Sequence, residues 1–203
     1  MSTESLEGAF RLDRSAGLMV VDMQRLFAEP GPWQVAWLPR VLPRVTALAE
    51  RHPERTVLSR FIPPKAPEDV PGAWQDYYRH WRAMTRENLD LALLDLVEPL
   101  ARLCPPALLC DKATYSAFSN RMLRPWLTEQ GIRTLIVAGG ETDVCVLATV
   151  MQALDLGYRI VLAADALCSV NDSTHDALML LYGRRYSQQV RTATTAEILS
   201  AWS

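Results

Sequence analysis

Short apolar runs that alternate with helical patterns constrain the fold of this chain more than any other feature. Buried strands are predicted at 17–23, 55–62, 106–112, 132–140 and 158–166, with a weaker strand near 188–193. Between and after these strands, the spacing of apolar residues predicts helices at 38–52, 120–131, 143–157, 172–185 and 195–202. This alternation predicts an α/β fold with a mainly parallel sheet between layers of helices.

Composition and charge narrow the class of protein. The 203 residues are 49% hydrophobic and 22% charged, which is ordinary for a globular protein, and we expect a single domain over 1–203. A net charge of −2 offers no basic surface for nucleic acid or a membrane, so a small-molecule substrate and a second copy of the chain are the expected partners. The N-terminus lacks a signal-peptide pattern and no apolar run is long enough to span a bilayer, which predicts a cytoplasmic protein. The four cysteines form no CxxC pair and are predicted to be reduced.

Three potentially reactive residues fall where predicted strands end. Asp22 closes the first strand, Lys112 closes the third, and Cys145 follows the fourth at the start of a helix. Ligands of parallel α/β sheets bind at the carboxyl ends of the strands. Each residue alone has an ordinary structural interpretation as a turn, surface or core residue, but together they indicate a site. Only two of the 21 basic residues are lysines, Lys65 and Lys112. Unlike Arg, a buried Lys can shift its pKa, which draws attention to Lys112. Lys65 is predicted to be a solvated loop residue.

These three side chains suit acyl transfer without histidine. The helix N-terminus is expected to lower the pKa of Cys145 and favour the nucleophilic thiolate. Asp22 could take the thiol proton and pass it to a leaving amine, while Lys112 keeps that carboxylate ionised. Gly139 and Gly140 allow the backbone to approach a substrate closely, and the turn after them could aim N–H groups at an oxyanion.

The motifs that carry these residues are "VVDMQRLF", "DKATYSAF" and "AGGETDVCVLATVMQALDLGYRIVLAADALCS". In order and spacing they resemble the isochorismatase-like cysteine hydrolase superfamily from about residue 17 to 190. The resemblance implies a Rossmann-like three-layer sandwich with a six-stranded parallel sheet, and a catalytic triad of Asp22, Lys112 and Cys145. It also implies a cis peptide between Gly140 and Glu141, with the backbone N–H groups of Glu141 and Cys145 as the oxyanion hole.

Departures from the superfamily's patterns bear on the substrate. Its nicotinamidases bind a metal through an Asp-x-His pattern and a further His, whereas the corresponding segment here, "SRFIPPKAPEDV", has no His. We therefore expect no catalytic metal and no cofactor, and a branch similar to N-carbamoylsarcosine amidase and ureidoacrylate amidohydrolases. True isochorismatases do not depend on the cysteine, so its presence favours attack at a C–N bond.

An aromatic segment, 71–85, supplies the candidate pocket wall. Its rings recur at spacings of three and four, which makes one stripe on a helix, packed either on the core, on a neighbouring subunit or over the site. The candidate substrate-binding residues are Phe27, Arg60, Tyr78, Trp81 and Phe118, with Arg60 as the guanidinium for a carboxylate or carbonyl. Thr142 and Asp143 are predicted to cap the helix behind Cys145, and Asp165 to occupy a turn.

The sequence thus predicts a metal-independent cysteine hydrolase of a small linear amide, carbamoyl or ureido compound, active as a homo-oligomer, either dimer or tetramer. Two alternatives remain open. One is an isochorismatase-type hydrolase of a vinyl ether, which would need Asp22 but not Cys145. The other is a non-catalytic or redox-responsive binding protein in which Cys145 is only an oxidisable thiol.

Overall fold

A computed structural model of the chain describes residues 10–203, and the expectation about the first nine residues lies outside that range. Six strands form the sheet: β1 (Ala16–Val21), β2 (Thr56–Phe61), β3 (Leu108–Lys112), β4 (Thr134–Gly140), β5 (Arg159–Cys168) and β6 (Val190–Ala193). In the described part of the chain, eight α-helices connect or flank them: α1 (Arg25–Ala28), α2 (Leu38–Arg51), α3 (Ala73–His80), α4 (Glu98–Ala101), α5 (Leu123–Glu129), α6 (Leu147–Asp155), α7 (Asp172–Arg185) and α8 (Thr195–Ala201). Within residues 10–203, none of the helices has the length and apolar character needed to cross a bilayer.

The strands lie in the order β3-β2-β1-β4-β5-β6, and every neighbouring pair is parallel. The chain therefore leaves β1 in one direction and returns to its other side at β4. Loops diverge between two such strands, and this opens a crevice at their carboxyl ends. Val21 pairs with Gly139 at the ends of β1 and β4, so the residues that follow them meet in this crevice.

Alternate residues of β1 feed two separate cores. Leu18 and Val20 pack in the core that contains Val45 of α2, whereas Met19 and Val21 pack in the core that contains Val150 of α6. Both faces of the sheet are therefore covered by helices, as is usual for a parallel sheet. The predicted α/β sandwich with a six-stranded parallel sheet is confirmed.

One sequence expectation about the loops is wrong. Asp165 lies inside β5 rather than in a turn. Its carboxylate accepts hydrogen bonds from the backbone N–H and the hydroxyl of Thr195, the first residue of α8, and lies 3.1 Å from Arg44. These partners are distant in sequence, so the local pattern could not reveal the contacts that hold this carboxylate within the strand.

Candidate active site

The structure brings Asp22, Lys112 and Cys145 together at the carboxyl ends of β1, β3 and β4. All three are buried, with 2%, 3% and 7% of their surface exposed. Lys112 Nζ lies 2.7 Å from Asp22 Oδ2 and 3.4 Å from Cys145 Sγ. The ammonium therefore lies between a carboxylate and a thiol.

Ser59 of β2 fixes the carboxylate. Its hydroxyl donates to Asp22 Oδ1 over 2.6 Å and accepts from the Asp22 backbone N–H over 3.2 Å. Asp22 itself has φ of +50°, a left-handed conformation in which Asp is tolerated better than most residues. With Oδ1 held by Ser59, Oδ2 faces the lysine.

The surroundings of Lys112 hold its ammonium in one position. Besides Asp22 and Cys145, Nζ donates to the carbonyl of Thr114 over 3.2 Å and lies 4.8 Å from the centre of the Phe61 ring. Burial alone would lower the pKa of Lys112, but the interactions of its ammonium with Asp22 and Cys145 outweigh burial, and the net pKa is raised. This lysine therefore serves as a fixed positive charge.

Cys145 lies in a π-helical turn, Thr142–Val146, that runs directly into α6. Burial raises the pKa of its thiol well above the ordinary value, and Asp22 adds to the rise while Lys112 opposes it. The sequence analysis expected the helix N-terminus to lower this pKa, and the burial of the thiol acts in the opposite direction. Asp22 is the carboxylate that shares Lys112 with this thiol.

The backbone before the nucleophile follows an unusual path. Gly139 has φ of +101°, and a Cβ at this position would collide with the backbone of Val21, so only glycine fits between the two strand ends. The Gly140–Glu141 peptide bond is cis. The amides of Glu141 and Cys145, named above for an oxyanion hole, lie on this turn.

The turn is tied to β5 and α7 by side chains that the sequence analysis assigned differently. Thr142 Oγ1 donates to the carbonyl of Cys168 over 3.1 Å and lies 2.9 Å from His175 Nδ1. The Asp143 carboxylate accepts from the hydroxyl of Ser169 over 2.5 Å and from that of Thr174. Neither residue caps the helix as expected; both position the nucleophile's turn against its neighbours.

Aromatic side chains of α3 pack together with Tyr115, which follows β3. Burial is the main cause that raises the pKa values of Tyr77, Tyr78 and Tyr115. The Trp74 ring packs on Tyr115 with centroids 4.7 Å apart. Tyr78 is fully buried, and its hydroxyl has no hydrogen-bond partner within residues 10–203.

The candidate substrate-binding residues fall into different environments. Phe27 and Trp81 both pack on Trp33, with centroids 6.3 and 6.0 Å away, in the same aromatic group as α3. Phe118 instead packs on Tyr158, just before the amino end of β5, with centroids 5.8 Å apart. The structure therefore places Phe118 away from the end of the sheet where the triad lies.

Arg60 is not a free guanidinium. Its Nε and Nη2 bind both carboxylate oxygens of Asp111 over 2.8 and 2.9 Å, and Nη1 lies 3.5 Å from Asp95. Arg60 and Asp111 are register partners on β2 and β3. A substrate carboxylate would have to compete with two protein carboxylates for this group.

Sequence reasoning missed Gln24, which anchors the long segment after β2. Its amide donates to the carbonyls of Phe61 and Leu94 over 3.1 and 2.8 Å, and its carbonyl accepts from the Phe61 backbone N–H over 2.6 Å. Gln24 stands two residues after Asp22 in the first motif, but its partners are 37 and 70 residues away. No local signal could have identified them.

Metal binding has no evident site in the part of the chain that the structure describes. No group of three or more His, Cys, Asp or Glu residues there could hold an ion. Asp22 and Lys112 instead form an ion pair with each other, with 2.7 Å between Oδ2 and Nζ.

A family model described as "Isochorismatase domain" matches residues 16–197. A crystal structure of a cysteine hydrolase from Pseudomonas syringae pv. phaseolicola 1448A has a TM-score of 0.79 at 22% identity, covering 93% of this chain and 92% of that one. Maleamate amidohydrolase of Pseudomonas putida is 23% identical over 189 residues, which are 87% of this chain and 83% of that protein.

Other curated relatives are matched over shorter stretches. Nicotinamidase 3 of Arabidopsis thaliana is 32% identical over 75 residues, 37% of this chain and 38% of that protein. Ureidoacrylate amidohydrolase RutB of Stutzerimonas stutzeri is 36% identical over 106 residues, 52% of this chain and 36% of that protein. The chain thus spans little more than a third of the length of these two relatives.

Proposed function

Because the chain belongs to the isochorismatase family, we propose that it is a metal-independent cysteine hydrolase that cleaves a C–N bond of a small linear amide, carbamoyl or ureido compound. The observation that carries the proposal is the position of Lys112 Nζ, 2.7 Å from Asp22 Oδ2 and 3.4 Å from Cys145 Sγ. A buried carboxylate beside a thiol and a fixed cation is the arrangement that a covalent acyl transfer needs.

In the first half of the reaction, Asp22 takes the proton of the Cys145 thiol as Sγ attacks the substrate carbonyl carbon. A C–S bond forms and the carbonyl electron pair moves to oxygen. When this pair returns, the C–N bond breaks, and the protonated Asp22 gives its proton to the leaving nitrogen. Ammonia or an amine departs and an acyl thioester remains on Cys145.

In the second half, Asp22 takes a proton from a water that attacks the thioester carbon. The C–S bond breaks, the carboxylic or carbamic acid leaves, and the proton returns to Cys145. Lys112 stays protonated throughout, because its positive charge stabilises Asp22 and then the departing thiolate. The sum is amide plus water giving acid plus amine.

The negative charge that develops on the substrate carbonyl oxygen during the attack needs hydrogen-bond donors to stabilise it. We assign this role to the backbone N–H groups of Glu141 and Cys145, on the turn that follows Gly140. Thr142 supports the assignment, since its hydrogen bond to the Cys168 carbonyl fixes the turn between them. Preorganised donors of this kind lower the barrier because they need no rearrangement during the reaction.

Intact-protein mass spectrometry tests the proposal. The native protein and Cys145→Ala are incubated with a panel of small amides, carbamoyl compounds and ureides while released ammonia is measured. We expect a transient adduct and ammonia release that both require Cys145, with Cys104→Ala as a control because Cys104 is a partly exposed thiol outside the triad.

Three outcomes would contradict the proposal. Hydrolysis that survives in Cys145→Ala would contradict the covalent route, and retained cleavage of isochorismate by that variant would favour vinyl-ether chemistry. Alkylation of Cys145 without any product release across the panel would favour the binding or redox-responsive alternative.

A further inference from the structure

The outer surface of α7 is apolar at its centre, unlike that of α2, the other helix of 14 residues. Leu180 and Leu181 are 52% and 38% exposed, and Ala177, one turn earlier, is exposed as well. On α2 the exposed positions carry only Pro, Arg and Glu side chains. A surface helix normally keeps its outer face polar. The apolar centre of α7 therefore indicates a surface that contacts another molecule.

Gly183 of the same helix answers no packing need within the described part of the chain. Its φ is not positive, and a Cβ built at this position would meet no atom of its surroundings within 4 Å. Glycine inside a helix is less stable than alanine, because it loses more backbone freedom on folding. Gly183 is exposed, so the open space beside it faces outward. The close approach of a backbone from another molecule would account for a residue without a side chain here.

Two opposite charges flank the apolar centre of α7. Asp176 lies one turn before Leu180 and Arg184 one turn after it, so the three residues follow one line along the helix. Both charged residues are exposed, and neither forms an ion pair among residues 10–203. They are separated by about 12 Å along the helix axis, which is too far for them to pair with each other. The helix dipole favours an acid near the start and a base near the end, but it does not account for the apolar residues between them.

We propose that this outer face of α7, formed by Asp176, Ala177, Leu180, Gly183 and Arg184, binds the same face of a second copy of the chain. The two helices run antiparallel about a two-fold axis near Leu180. Each Leu180 then packs on the other, Ala177 lies opposite Gly183 of the second copy, and Asp176 lies opposite its Arg184. A two-fold contact uses one patch twice, so the patch must be complementary to itself, as this one is. A parallel arrangement would instead place like charges opposite each other.

The contact lies on the side of α7 away from the candidate active site. His175 is buried, and its Nδ1 lies 2.9 Å from Thr142 Oγ1 on the nucleophile's turn. Leu180 is five residues further along, so its side chain is about 140° around the helix from that of His175. A second copy can therefore bind without covering the turn. The inference is independent of the proposed function, because it concerns a surface that takes no part in the reaction.

Sedimentation velocity over about 1 to 200 μM protein tests the proposal, because a contact through one pair of helices is small and micromolar association is expected of it. We expect the native chain to form dimers in this range. Asp176→Arg places arginines opposite each other in both halves of the contact, and Arg184→Asp does the same with aspartates. Each variant alone should therefore associate at least about tenfold more weakly than the native chain.

An equal mixture of these two variants should recover the association that each has lost. In a mixed pair the two introduced charges face each other and the two native charges face each other, with opposite signs in both cases. Glu50→Arg and Arg40→Asp make the same charge changes on the exposed side of α2, which packs on the other face of the sheet, and should associate like the native chain. A native chain that stays monomeric throughout would overturn the proposal and leave this face to a different partner. Variants that associate like the native chain, or a mixture as dissociated as its components, would also overturn it.

Gly183→Leu tests the close approach of the two helices. The new side chain meets no atom of its own chain at Cβ, and leucine favours a helix more than glycine does, so the isolated chain should melt at no lower temperature than the native one. Across the two-fold axis the same side chain would collide with the second copy, and association should weaken about tenfold or more. The melting temperatures are compared at a concentration where both proteins are monomers. Association of a folded Gly183→Leu that equals the native value would contradict the proposed contact.

Discussion

The hydroxyl of Ser59 donates to Asp22 Oδ1 and accepts from the Asp22 backbone N–H, so one side chain of β2 holds both the carboxylate and the main chain of the proposed base. The second oxygen of Asp22 is thereby directed at Lys112, 2.7 Å away. The direction of the base is therefore set from the neighbouring strand.

Ser59→Ala should slow the proposed reaction without abolishing it. The Asp22 carboxylate loses one charge-assisted hydrogen bond, for which about 1.5–3 kcal/mol is typical, and about 10- to 100-fold in kcat/KM follows from such a loss. Steady-state ammonia release measures this, with the exposed Ser187→Ala as the matched control. An unchanged kcat/KM would show that Ser59 does not orient the base.

Lys112→Arg should lose about 100-fold or more in kcat/KM, because a planar guanidinium cannot occupy the enclosed position of an ammonium between Asp22 and Cys145. The chain offers a matched control in its other lysine. Lys65 is exposed and lies 3.6 Å from Glu87, so Lys65→Arg should behave as the native protein. Near-native turnover by Lys112→Arg would contradict the role of a compact, fixed cation.

Tyr78→Phe should raise the free energy of unfolding of the free protein by about 1–2 kcal/mol, because it removes a buried hydroxyl that has no partner among residues 10–203. If that hydroxyl binds substrate, KM should rise in the same variant. Tyr182 also has a buried, unpartnered hydroxyl but lies on α7, in the core around α5 and α6. Tyr182→Phe should therefore stabilise the protein and leave KM unchanged. Equal KM values in the Tyr78→Phe and Tyr182→Phe variants would show that the Tyr78 hydroxyl does not bind substrate.

Stability should fall at high pH as buried thiols ionise, and Cys110 and Cys168 contribute to this fall. Burial raises the pKa of Cys110 and of Cys168 to about 12. A group whose folded pKa is raised stabilises the folded state below its unfolded pKa, here about 9, and loses that contribution as pH rises toward the folded value. At about pH 10.5 each thiol should cost about 2 kcal/mol relative to neutral pH.

Urea unfolding at about pH 7.5 and 10.5 measures this decline. Cys168→Ala should flatten it, since alanine carries no proton, whereas Cys104→Ala should have less effect because Cys104 is only partly buried. A pH dependence that is the same in Cys168→Ala and the native protein would contradict the assignment to this thiol.

The three reactive residues could be predicted because each lies at or just after a strand end, and parallel strands bring those ends to one edge of a sheet. The partners of Ser59 and Arg60 could not be predicted in this way. These two residues are adjacent on β2 and point to opposite faces, and only the register against β1 and β3 decides that Ser59 meets Asp22 while Arg60 meets Asp111.

The pKa of the Cys145 thiol could not be predicted from the sequence for a related reason. Its place before α6 is visible in the sequence, and this predicts a lowered pKa. The depth of burial, with 7% of the residue exposed, depends on packing in the core that also contains Val150 of α6, and this burial raises the pKa. The network of Thr142 with Cys168 and His175 likewise joins residues 26 and 33 positions apart, beyond any local pattern.

Gln24 has a practical meaning for redesign of this protein. Its side-chain amide donates hydrogen bonds to the carbonyls of Phe61 and Leu94. The stretch between these two residues includes α3 and its aromatic rings. Both ends of that stretch are therefore bound to one residue, two positions from Asp22. A graft that keeps both carbonyl contacts to Gln24 should therefore replace this stretch of chain while Asp22 keeps its position.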